Sequence, residues 1–143
     1  MRPHDCFINI NNPIKQSKAM ATKFYKCNHC GNVVMKMVDS GVPLVCCGKQ
    51  MAELRPNTVD ASTEKHVSVV QRECEYMMKV TVGSTPHPMT EEHHIDFIYV
   101  ETENGGIHIK TKENPNAKFC IQTDKPVMVY DYCNLHGLWN TDV

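Results

Sequence analysis

Thiols and imidazoles stand at metal-ligand spacing in five short stretches. CNHCG (27–31) offers Cys27 and Cys30, and VCCG (45–48) offers Cys46 and Cys47. EKHV (64–67) and the loop STPHPMTEEHH (84–94) add His66, His87, His93 and His94, and CNLHGLW (133–139) ends the series with Cys133 and His136 three apart. The chain holds eight cysteines and eight histidines in 143 residues. In an oxidising compartment so many cysteines read as a disulfide framework, in a reducing one as metal ligands. Residues 1–20 (MRPHDCFININNPIKQSKAM) are polar and lack the continuous apolar stretch of a signal peptide. Metal binding is therefore the better reading.

The chemistry follows from residue type. CxxCG is a metal knuckle: its turn puts both thiols on one side, and the glycine lets backbone N–H groups point at sulfur. Two such pairs make a tetrathiolate suited to Zn²⁺ or to a single iron. Cys46 and Cys47 are adjacent, so their turn must be distorted and the tetrahedron flattened. Spacing alone leaves zinc and iron open, and a structural role beside a redox one. His29, inside the knuckle, is expected in solvent. His66, His87, His93, His136 and Cys133 all border strand-like runs, where a fold can gather loop residues at one site. Pro86 and Pro88 stiffen the loop of His87. His93 shares the strand parity of Ile95 and Phe97, which favours it over His94. His108 is expected on an exposed strand face, and Cys120 packed as a small apolar residue. Cys74 has no evident partner, and Cys6 lies in the N-terminal stretch.

These residues need elements to hold them. Residues 1–20 read as a weakly ordered extension, with Met20 a candidate start of the folded protein. Residues 21–57 form a small knuckle domain in which Val33, Val34, Met37, Val38, Leu44 and Val45 are expected to build a two-hairpin core. So short a segment buries little apolar surface, and its metal must supply much of its stability. Pro56-Asn57-Thr58 is the linker. Residues 58–143 carry strand runs at 67–71, 77–82, 94–102, 106–112, 118–122 and 126–133, separated by turn signals such as Asn104-Gly105-Gly106 and Asp124-Lys125-Pro126. Ile95, Phe97 and Tyr99 are expected on one face, Ile107 and Ile109 on another. That alternation predicts an antiparallel sandwich. No long helix, GxGxxG or P-loop is present. The net charge of −1 gives no electrostatic case for nucleic acid or membrane. No apolar run approaches the ~18 residues of a spanning helix.

In order and combination, CNHCG, VCCG, EKHV, KVTVGSTPHPMTEEHHI (79–95) and CNLHGLW resemble desulfoferrodoxin, the two-iron form of superoxide reductase, from about Met20 to Val143. The double-cysteine knuckle resembles that of the small desulforedoxin-type iron domain. The resemblance implies a mainly β chain: a rubredoxin/desulforedoxin-like knuckle domain, then an immunoglobulin-like antiparallel β-sandwich. It implies iron at both sites, with zinc possible in the first. Cys27, Cys30, Cys46 and Cys47 would hold one ion. His66, His87, His93 and His136 would surround the other in a plane, with Cys133 on the axis. Glu64 would cover the sixth position in the resting state, with Lys65 beside it as the catalytic cation. Four neutral imidazoles, a thiolate and Fe²⁺ leave a local charge of about +1 by formal counting, which attracts an anion.

The activity so implied is one-electron reduction of superoxide to hydrogen peroxide without dioxygen release, with re-reduction by a rubredoxin-like donor. A homodimer in the cytoplasm is expected. The alternatives are a superoxide dismutase and a non-catalytic electron carrier or zinc-stabilised module. Ser68 departs from the proline common in relatives, and Cys74-Glu75-Tyr76-Met77-Met78 from an expected glycine-containing hairpin.

Overall fold

A computed structural model describes residues 22–61, 63–111, 114–120 and 125–143. The expectations for residues 1–20, for Cys6 and Met20, and for Lys112, Ile121, Gln122 and Asp124 lie outside the described residues.

Among the described residues five short strands come first: β1 (Phe24–Lys26), β2 (Val33–Met35), β3 (Val45–Cys46), β4 (Lys49–Gln50) and β5 (Ala52–Leu54). β2, β1 and β5 form an antiparallel sheet in that order, and β3 pairs with β4. The core expected between the knuckles is not formed: Val34 and Val45 are exposed, and Met37 and Val38 are each 89% exposed. The reason lies in β1. Phe24 is buried against the second body, its ring 5.3 Å from that of Tyr130 and 5.7 Å from those of Phe97 and Tyr99. Val33, Met35 and Leu54 join the same cluster with Tyr132 and Leu138. Strands of two or three residues cannot enclose apolar surface alone, so the small sheet takes an outer face of the sandwich as its core.

Among the described residues, the second body contains a single-turn helix, α1 (Thr63–His66), and seven strands: β6 (Ser68–Cys74), β7 (Met77–Val82), β8 (Ile95–Thr102), β9 (Gly105–Lys110), β10 (Asn116–Cys120), β11 (Pro126–Cys133) and β12 (Gly137–Asp142). Two antiparallel sheets, ordered β10-β7-β6 and β12-β11-β8-β9, make the sandwich. β7 alternates half-buried and buried residues along MMKVTV, as period 2 requires. Its Met78, Val80 and Val82 meet Ile98, Val100, Phe119 and Val129 in the core.

Three expectations are corrected here. β12 was not anticipated; Gly137, at φ 79°, makes the turn that folds it back on β11. Ile95 does not share a face with Phe97 and Tyr99. The β8–β11 ladder is irregular at this point, with Tyr132 opposite Phe97 but Cys133 opposite Ile95, so Asp96 is skipped. A bulge reverses parity, and Ile95 joins the core with Ile98 and Val100 while Phe97 and Tyr99 face the small sheet. Cys120 is exposed rather than packed. Phe119, opposite Met78, takes the core face, which turns Cys120 outward opposite Met77.

The linker is pinned to β12. Asn57 sits at φ 60°, its N–H donates to Leu138 O at 3.0 Å, and its side chain exchanges hydrogen bonds with Asn140. Thr22 Oγ1 also donates to Glu101 Oε1 at 2.8 Å, a second tie between the bodies.

Candidate metal centres

The first cluster is built by two turns. Cys27 follows β1, and its N–H donates to Asn32 O while Gly31 N–H donates back to Cys27 O, both at 2.9 Å. Gly31, at φ 84°, closes the knuckle. In the second turn Cys47 itself is left-handed at φ 52°, followed by Gly48 at 72°. This is the distortion that adjacent ligands require, carried by a non-glycine residue at a cost of about 1–2 kcal/mol. All four sulfurs lie within 4.8 Å of one another. Cys30 and Cys46 Sγ are 3.6 Å apart, Cys46 and Cys47 Sγ 3.9 Å. A tetrahedral ion with metal–sulfur bonds of ~2.3 Å has edges of about 3.8 Å, so the donor set fits one ion.

The thiols also bear on one another. N–H donors of Cys30 and His29 draw Cys27 down to about 6, while the neighbouring Cys30 and Cys46 push Cys47 up to about 12. The Cys27 thiolate forms readily while Cys46 and Cys47 resist, so a full set of thiolates calls for a cation. Asn32 Nδ2 faces Cys46 Sγ at 3.7 Å. His29 is exposed in the turn.

The second cluster draws on both sheets. His66 ends α1, His87 lies in the loop after the turn that follows β7, His93 in the bend before β8, Cys133 ends β11, and His136 sits in the turn to β12. The four rings stand at the corners of a square. Neighbouring centroids are 4.8 Å (His66–His87), 4.6 Å (His87–His93), 4.9 Å (His93–His136) and 4.7 Å (His66–His136) apart, while His66 and His93 face each other at 6.3 Å. Neighbouring planes meet at 75° to 85°, and the facing pair at 28°. Ligand atoms of His66, His93, His136 and Cys133 lie within 4.8 Å of one another.

The ring nitrogens are sorted by their outer bonds. His87 Nδ1 donates to Pro88 O at 2.6 Å, which leaves Nε2 as its lone pair. The Nε2 atoms of His87 and His93 are buried without a partner, as free ligand atoms would be. His136 presents Nδ1, 3.0 Å from His66 Nε2 and 3.8 Å from Cys133 Sγ. Trp139 stacks on His66 at 5.0 Å and donates Nε1–H to His136 O at 3.2 Å. Burial holds His87 down to about 4, and burial, then His136 and Lys65, lowers His93. Both are neutral at pH 7, as coordination needs. Burial pushes the Cys133 thiol up, while N–H groups of His136 and Leu135 pull it down.

Three devices hold the loops. Asn134 accepts from His94 N–H and donates to Glu92 O, both at 2.9 Å, tying the β11–β12 turn to the His93 segment. His94 is turned away, bonded to Thr90 O and Asp96. Gly83, at φ 82°, lies beneath α1: its N–H donates to Val67 O at 3.1 Å, and Thr85 N–H donates to Glu64 O at 3.0 Å. Glu64 and Lys65 are exposed on α1 and are not among the converging ligand atoms. Sequence reasoning marked Gly83 only as a turn residue and missed Asp131. Asp131, two residues before Cys133, is fully buried, accepts from Ser68 Oγ at 2.8 Å, and is pushed up to about 8 by that burial. Its only signal was an acid inside an apolar strand run.

The profile of the family described as Desulfoferrodoxin matches residues 58–142, and that of its N-terminal domain matches residues 19–54. The chain belongs to the desulfoferrodoxin family. The desulfoferrodoxin of Nitratidesulfovibrio vulgaris is 42% identical over 122 residues, covering 84% of this chain and 95% of that protein. The superoxide reductase of Pyrococcus horikoshii is 37% identical over 103 residues, covering 59% of this chain and 90% of its own length. The crystal structure of the superoxide reductase from Treponema pallidum, 28% identical, superposes with a TM-score of 0.72 over 86% of this chain and all of that one. The four-cysteine cluster and the histidine–cysteine cluster form the two-iron arrangement of the desulfoferrodoxin family.

Proposed function

We propose that the histidine–cysteine cluster is the catalytic centre of a superoxide reductase. The observation that carries this reading is the square of four imidazoles with the buried Cys133 close beside it. Five such donors leave an octahedral metal one free position, which an inner-sphere substrate needs. Relatives in Pyrococcus horikoshii and Treponema pallidum bear the name superoxide reductase.

Bound there, iron supplies the single electron that, with two protons, converts superoxide to hydrogen peroxide. The chain supplies the setting. His66, His87 and His93 present Nε2, His136 presents Nδ1, and Cys133 presents a thiolate held by two backbone N–H groups. Lys65, whose charge acts on His93, draws the superoxide anion to the open face and holds water that delivers protons. Glu64, one residue away, covers that face between turnovers. Cys27, Cys30, Cys46 and Cys47 hold the other iron, and the same four thiols also suit zinc.

Residues 21–57 and 58–143 act as the two functional units. The donor is a rubredoxin-like protein, and the chain works as a homodimer in the cytoplasm. The exposed apolar residues Met37, Val38, Val42 and Val45 support an association surface. Seven free cysteines among the described residues support a reducing compartment.

Product stoichiometry tests the reading. One peroxide per superoxide without dioxygen, in the presence of a reduced donor, is expected. One peroxide and one dioxygen per two superoxides, faster than the spontaneous reaction, would make the protein a dismutase. No acceleration by the iron-loaded protein would reduce it to an electron carrier.

A further inference from the structure

Asp131 has no part in the chemistry above, yet it occupies the centre of the sandwich. It is 0% exposed, its Oδ1 accepts from Ser68 Oγ at 2.8 Å, and its Oδ2 is buried without a partner. Ser68 is also buried and opens β6, two residues after His66. Asp131 lies on β11, two residues before Cys133. β6 and β11 belong to different sheets, so this bond spans the sandwich between the strand that follows His66 and the strand that ends in Cys133. Trp139, opposite Asp131 in the β11–β12 ladder, stacks on His66 from the same side.

A buried carboxyl with one oxygen unsatisfied is an expensive way to join two strands, since a well-packed apolar pair avoids the desolvation. What the polar pair adds is direction. Apolar surfaces can slide over one another, whereas a hydrogen bond near 2.8 Å fixes both distance and angle. A metal site tolerates errors of only about 0.5 Å in its ligands.

We propose that Ser68 and Asp131 are a positioning pair whose hydrogen bond sets His66 against Cys133 in the metal site. The proposal rests on the reading of that cluster as an iron centre. The pair touches neither metal nor substrate; it acts through the backbone that carries the two ligands.

The test uses the full iron-loaded chain and two readouts independent of turnover: the rate of iron loss from this cluster to a ferrous chelator, and the energy of the thiolate-to-iron absorption band. Ser68→Ala and Asp131→Ala are each expected to release iron about tenfold faster, the size typical of lost outer-shell bonds, with a shifted band. The double variant is expected to be no faster than the worse single one, because both remove one interaction. Asp131→Asn keeps an acceptor at Oδ1 and is expected to retain the native band. Thr102→Val, a buried polar change at the far end of β8, is expected to lower the melting temperature and leave release and band unchanged. The proposal is overturned if Ser68→Ala releases iron within about twofold of native with an unmoved band, if the two changes add, if Asp131→Asn behaves like Asp131→Ala, or if Thr102→Val moves both readouts equally. A native chain that takes up no iron at this cluster overturns the parent reading as well. Native uptake with an unresponsive Ser68→Ala overturns the positioning role alone.

Discussion

Gly83→Ala offers the sharpest test of how the site is held. Gly83 has φ 82°, and a Cβ there would stand 2.5 Å from Thr85 O, 2.7 Å from Lys65 O and 2.8 Å from Glu64 O. The left-handed conformation costs an alanine about 1–2 kcal/mol. Overpacking against three backbone carbonyls adds roughly 1–3 kcal/mol, because α1 must retreat. The expected loss is therefore about 2–5 kcal/mol. At ~3 °C per kcal/mol for a chain of this size, the melting temperature should fall by about 6–15 °C. α1 carries Glu64, Lys65 and His66, so displacing it weakens metal binding too. Iron should then raise the melting temperature of the variant less than that of the native protein. Thermal unfolding with and without iron measures both quantities. Gly105→Ala is the control: nothing lies within 4 Å of its Cβ, and its effect should stay within about 0.5 kcal/mol. A Gly83→Ala variant that melts within about 2 °C of native, with undiminished stabilisation by iron, would refute the account of α1 resting on this turn.

Three further outcomes are expected. Lys65→Ala should slow the bimolecular reaction with superoxide and flatten its dependence on ionic strength, since an exposed charge acts through a screened field; an unchanged rate at low salt by fast kinetics counts against it. Phe24→Ala should destabilise the protein by about 3–5 kcal/mol and loosen the small sheet from the sandwich, seen as faster amide exchange in β1 and β2; native exchange there would mean the sheet stands by itself. Burial lowers His87 from the ordinary 6.5 to about 4, so between these values the unfolded chain binds more protons than the folded one. Its contribution to the metal-free fold is complete above about 6.5 and lost as pH falls toward 4. The urea midpoint of the metal-free protein should drop from pH 7 to 4.5, and His87→Gln should flatten that drop; an equal drop in both removes His87 from the explanation.

What could be read from the sequence was the chemistry, because thiols and imidazoles declare themselves by type. Cys27, Cys30, Cys46 and Cys47 were named from knuckle spacing, and the strand runs from period 2. The supports were harder to see. Phe24 gave no sign that it would leave its own sheet for Tyr99 and Tyr130, since nothing in FYK names a partner some 75 or more residues away. The skipped Asp96 separated Ile95 from the face it was expected to share with Phe97, because parity counting assumes an unbroken ladder. α1 is one turn long, too short for any 3.6-residue pattern. Gly83 was legible as a turn residue, but not as the floor beneath that helix. Ser68 appeared only as a departure from proline, and its purpose required sight of Asp131 on another sheet.

The ligands of the two centres are also separated in time. Those of the first are complete at Cys47, whereas the second waits for His136, 89 positions later (136 minus 47). At ~5–20 residues per second, ribosomes need about 4–18 s to cover that interval. During it all four thiols are already in the nascent chain, while the second cluster still lacks Cys133 and His136. Metal in those seconds meets four soft sulfur donors before the mixed donor set is complete. The order of synthesis thus completes the first donor set in the chain well before the second.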